Sequence, residues 1–83
     1  MSLRKYRDWN RLVGIPVEVR RYGRTIRTGV VDEVMPDSSM LWLMADSSHG
    51  RTLYNAHEDF EVWIELELLE AHHLLQVAAP VSV

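Results

Sequence analysis

The chain has 83 residues, 47% of them apolar, and a net charge of −3. There is no cysteine, which excludes disulfides and thiolate metal sites. No apolar run approaches the roughly 20 residues of a membrane helix, so the expectation is one soluble, cytoplasmic domain with no membrane partner.

A domain this small buries only about 60–65% of its unfolded surface, so self-association or a partner would add to a thin stability margin. Charge is unevenly spread. Residues 1–30 carry eight basic and two acidic side chains, a net +6, whereas residues 31–83 carry one and ten, a net −9. Such a split either neutralises across neighbouring strands or marks a binding surface. The opening Met1-Ser2-Leu3-Arg4-Lys5 runs into charge rather than an apolar stretch, so no secretory signal is expected.

Arg4 to Val13 reads as a short helix, because Tyr6, Trp9, Leu12 and Val13 recur at three- and four-residue spacing. Gly14 would end it, and Trp9 would plug one end of the core. Ile15–Tyr22 alternates as a strand, with Ile15, Val17 and Val19 on one face. Tyr22-Gly23-Arg24-Thr25 is a hairpin signal. Thr25–Met35 is a long second strand on which Ile26, Thr28 and Val30 share a face. Gly29 near its centre would let it bend.

After Pro36-Asp37-Ser38-Ser39, the third strand Met40–Ala45 is apolar on both faces. Its outer side is expected to be covered by a terminal helix or to meet another chain. A turn over Asp46–Gly50, a strand Arg51–Ala56, a turn His57-Glu58-Asp59 and a strand Phe60–Glu65 follow. The period then changes, and Glu67–Val77 reads as a helix with a loose tail over 78–83.

Catalytic chemistry is hard to find. The serines are turn residues and the glycines form no phosphate-binding pattern. His72 and His73 are adjacent on a helix and point about 100° apart, which is poor geometry for one metal. Arg20, Arg21, Tyr22, Arg24 and Arg27 cluster on one hairpin, and guanidinium groups beside an aromatic suit single-stranded RNA.

Leu12-Val13-Gly14-x-x-Val17-x-Val19, then a turn, then Thr28-Gly29-Val30-Val31-Asp32, an apolar strand and two short strands make a familiar order. Over about residues 8–65 it resembles the SH3-like small barrels. Within them it resembles the Sm-like proteins and the C-terminal barrel of ribosome-maturation factors. The resemblance implies a mainly β fold: a five-stranded antiparallel barrel with a helix at each end. It also implies ring assembly through the fourth and fifth strands, and RNA contacts in the Pro36–Ser39 and His57–Asp59 loops. The second loop carries Glu58 and Asp59 where that family has an Arg-Gly pair.

The expected function is non-enzymatic binding, to a protein partner or to a second copy, through Met40, Leu41, Trp42, Leu43 and Met44. The alternative is single-stranded RNA bound by Arg20, Arg21, Tyr22, Arg24 and Arg27. No catalytic residue, metal, cofactor or small-molecule substrate is expected.

Overall fold

The computed structural model describes residues 3–78, with side chains to residue 75. Six strands form one antiparallel sheet: β1 (Leu3–Tyr6), β2 (Pro16–Arg21), β3 (Arg24–Val34), β4 (Met40–Leu43), β5 (Thr52–Asn55) and β6 (Phe60–Glu65). Their order is β1-β6-β2-β3-β4-β5. A helix, α1 (Leu66–Ala78), follows β6 directly. The expected tail lies outside the described residues beyond Ala78.

The expected closed barrel is not formed. Closure requires the two edge strands to exchange backbone hydrogen bonds, and β1 and β5 lie at opposite ends of the order. The sheet is open, so the SH3-like, Sm-like and ribosome-maturation-factor resemblance does not describe this fold. The expected strands are present to within two residues at each end. What differs is how the ends meet. β5 is short and runs into a single 3-10 turn, Ala56–Glu58, before β6.

The expected N-terminal helix is also absent. Leu3–Tyr6 is a strand on the outer edge of β6, in the register Leu3↔Glu65 to Tyr6↔Val62. Only Trp9–Arg11 is helical, as one 3-10 turn. A strand here satisfies backbone groups of β6 that a helix would leave unpaired. The helical spacing in the sequence arises because Trp9 and Leu12 are buried by this turn, while Val13 is exposed.

One core lies on one face of the sheet. Val17, Val19, Val31, Leu41, Leu43, Val62 and Ile64 face it from the strands, and Trp9, Leu12, Ile15, Tyr54 and Leu69 complete it. α1 packs on β6 through Leu69, and leaves Leu68, Leu74 and Leu75 exposed.

On β3 the face shared by Ile26 and Thr28 is the exposed one, and Arg27 points into the core. Gly29 supplies room. A Cβ there would lie 3.1 Å from Leu43 and 3.2 Å from the Arg27 guanidinium. The register of β3 shifts on either side of this glycine, at Ile26 against β2 and between Val31 and Glu33 against β4.

Candidate functional site

The hairpin arginines separate on folding. Arg27 is 5% exposed. Its Nη1 donates to Gly50 O and Thr52 Oγ1, both at 3.1 Å, and its Nη2 to Met44 O at 3.0 Å and Asp46 Oδ2 at 3.2 Å. Nε donates to Thr28 O at 3.3 Å. A buried guanidinium must satisfy all its donors, and this one clamps the loop between β4 and β5. Backbone N–H groups of Ser48 and His49 donate to Asp46, and with Arg27 they hold its carboxyl below the usual carboxylate value.

Arg20 pairs with Glu18 and stacks on Trp63 at 4.2 Å. Arg21 donates to Glu58 O at 2.9 Å and lies between Phe60 and Tyr22, 4.7 and 5.2 Å from their ring centres. Arg24 is exposed at the end of the hairpin. Of the five residues expected in a nucleic-acid patch, four remain at or near the surface and Arg27 does not.

The residues of the expected protein interface alternate. Leu41 and Leu43 are fully buried, so they belong to the core. Met40 and Trp42 are half-buried and Met44 is exposed. Trp42 pairs with Leu53 of β5, which is 46% exposed. The sequence reasoning missed Leu53, although its neighbours Thr52 and Tyr54 turn inward and alternation alone sets it on Trp42's face. Arg51 lies over Trp42 at 5.4 Å and donates to Asp32 at 2.7 Å. α1 does not cover this face.

A cleft of about 470 Å³ opens where β1, the hairpin turn, the β3–β4 turn and the start of β6 meet. Tyr6, Trp9, Tyr22 and Phe60 supply its aromatic lining, and Lys5, Arg7, Asp59 and Glu61 its charge. Lys5 pairs with Glu61 at 3.1 Å. The Trp63 indole and then Lys5 hydrogen-bond to Glu61, holding its carboxyl below the usual value.

Three non-glycine residues among those described have left-handed backbones: Tyr22 (φ 51°), Ser38 (φ 61°) and Asp59 (φ 67°). All three line this cleft. Aspartate tolerates that region; a bulky tyrosine does not, at a cost of about 1–2 kcal/mol. Tyr22 and Gly23 (φ 77°) form the two-residue turn of the hairpin, where asparagine or glycine is the usual choice. Tyr22 is held there, 74% exposed, by its hydroxyl donating to Asp59 at 3.0 Å and by the Arg21 stack.

The histidines do not converge. His73 Nδ1 lies 2.8 Å from Arg11 Nη2, and His49 lies beside Asp46. The His57 N–H donates to Asn55, and His72 packs against Gly14. Among the described residues no group of three His, Asp or Glu side chains could hold a metal ion, and no helix is long and apolar enough to cross a membrane. Compared with known protein families, with curated proteins and with solved structures, the chain matches none.

Proposed function

We propose that this chain is a non-enzymatic, cytoplasmic binding module that works through protein–protein contacts on the outer face of β4 and β5. One observation carries the reading. Met40, Trp42, Met44 and Leu53 share an exposed or half-exposed apolar face beside an edge strand, β5, that carries no charge over Thr52–Asn55. Edge strands are usually guarded by charge, as β1 is by Arg4 and Lys5.

The occupant that fits is a second copy. Antiparallel pairing of two β5 strands about Leu53 sets Leu53 against its counterpart on the outer face. The two Trp42–Leu53 patches then join across a two-fold axis. The test is solution mass by light scattering over a range of concentrations. A dimer is expected, and Trp42→Lys or Leu53→Lys should return it to monomer with an unchanged far-UV spectrum. A wild-type monomer at every concentration overturns self-pairing.

A second reading is single-stranded RNA at the hairpin, favoured by the exposure of Tyr22 beside Arg24. It requires binding that falls steeply with salt, and a shallower slope in Arg21→Ala/Arg24→Ala. Absence of binding at low salt removes it.

A further inference from the structure

Arg11, at the end of the Trp9–Arg11 turn, and His73 of α1 meet at two points. Arg11 Nη2 lies 2.8 Å from His73 Nδ1, and His73 Nε2 lies 3.3 Å from Arg11 O. The partners fix the state of the ring. A guanidinium only donates, so Nδ1 accepts. A carbonyl oxygen only accepts, so Nε2 carries the proton and donates. Both ring nitrogens are therefore committed to one residue, and only the neutral imidazole makes both bonds. A proton on Nδ1 would set N–H against N–H and bring a second cation against the guanidinium.

The groups around the pair favour its opening once the ring is charged. Arg11 is held from β1, because its Nη1 donates to the Tyr6 hydroxyl at 3.0 Å. Glu70, three residues before His73 on α1, lines the same hollow as Arg11 and His73, so its carboxylate attracts the protonated ring away from Arg11. The His72 ring, centred 6.1 Å from that of His73, gains charge in the same pH range. The apolar anchorage of α1 lies on its N-terminal side. Leu69 is buried and Leu66 is half-buried against the core, whereas Leu74 and Leu75, just past His73, are exposed.

We propose that the Arg11–His73 pair is an acid-sensitive latch on α1. Neutral His73 holds the helix to the turn that follows β1, and protonation releases the helix around it. The latch is complete above the imidazole range and is lost as pH falls through it. It lies away from the β4–β5 face and works in a single chain, whether or not β5 pairs with a partner.

The test is an NMR titration of the full chain from about pH 8 to about pH 5.5, across the imidazole range and above that of the carboxylates. Ring nitrogen shifts at the upper limit should show His73 protonated on Nε2 alone. As His73 takes up its second proton, amide protection over Leu69–Leu74 should fall about threefold, the weight of one exposed hydrogen bond. Amides of β2 and β3 should not follow. His73→Gln keeps a donor and an acceptor for Arg11 but does not titrate, so protection of α1 should stay level across the range. His72→Gln should keep the fall. A ring protonated on Nδ1 at the upper limit overturns the proposal, as does constant protection of α1 while His73 titrates. So does an equal fall in β2 and β3, or the full fall in His73→Gln. Loss of the fall in His72→Gln assigns the response to the neighbouring ring and also overturns it.

Discussion

Trp63 and Trp42 both stand on the outer side of the sheet, each with an arginine over its ring, at 4.2 and 5.4 Å. Around Trp63 the surface is laced. Its indole donates to Glu61, Glu61 pairs with Lys5 of β1, and the stacked Arg20 pairs with Glu18. Around Trp42 the cross-strand neighbours are Leu53 and Glu33, and the arginine over its ring, Arg51, pairs with Asp32 and Glu33. Both halves share β3. The difference teaches that an outward tryptophan is not by itself a contact site. Where a hydrogen bond from the indole ties the ring into a charge network, it is part of the fold. Where the next strand sets another exposed apolar side chain, Leu53, beside the ring, the two make a continuous apolar surface.

The largest expected effect tests the joint between the halves. Arg27→Met removes the buried hydrogen bonds to Met44 O, Gly50 O, Thr52 and Asp46, and should cost about 3 kcal/mol in urea unfolding. Arg24→Met, on the same hairpin, should stay within about 0.5 kcal/mol. Equal losses would mean that Arg27 does not tie the β4–β5 loop to β3.

Next come the tryptophans. Trp63→Ala should cost about 2 kcal/mol, the half-buried share of a core aromatic plus its stacked arginine, without changing solution mass. Trp42→Ala should cost about 1 kcal/mol and shift the mass toward monomer. If the two exchange these effects, the assignment of structural and contact halves is reversed.

Acid should separate the halves further. Asp46 and Glu61 have lowered carboxyl pKa values in the folded chain. Their contribution is therefore complete above the ordinary carboxylate range and is lost as pH falls through and below about 4. Glu61→Gln should flatten the acid loss of amide protection in β1 and β6, and Asp46→Asn that of the β4–β5 loop. Lys5→Ala is the smallest change. It removes one exposed pair, should cost less than about 1 kcal/mol, and that cost should fade at high salt.

Much of the sheet was legible because its strands are made of alternation and turns, both local. β1 was not. Leu-Arg-Lys-Tyr has no strand pattern of its own, and its pairing depends on Trp63 and Val62 at the other end of the chain. Trp9 and Leu12, buried by a 3-10 turn, imitated a helix face. The openness of the sheet was hidden for a similar reason. Whether β1 meets β5 or β6 is a tertiary choice that no spacing records.

Arg27 reads as surface charge because composition assigns arginine outward. Its register opposite Val19, which turns it inward, depends on how the hairpin pairs. The β4–β5 face was visible as apolar residues on both sides of one strand, and Leu53 was missed because it belongs to the next. The cleft had almost no sequence signal, since its wall comes from β1, two turns and the start of β6, which are far apart in the chain. Tyr22-Gly23 reads in the sequence as part of a hairpin signal, and only its left-handed backbone in the structure sets it apart.

The pairing of Leu3 with Glu65 also sets a schedule. Of the six described strands, β1 is the first to be synthesised and β6 the last. β2 to β5 can meet as successive hairpins, each closing a short loop, while β1 waits for a partner that closes nearly the whole chain. Ile64 and Leu69 reach the core at that same late moment. The nascent chain therefore carries an uncovered apolar face and an unpaired β2 margin until β6 appears, which is the interval in which it is most exposed to aggregation.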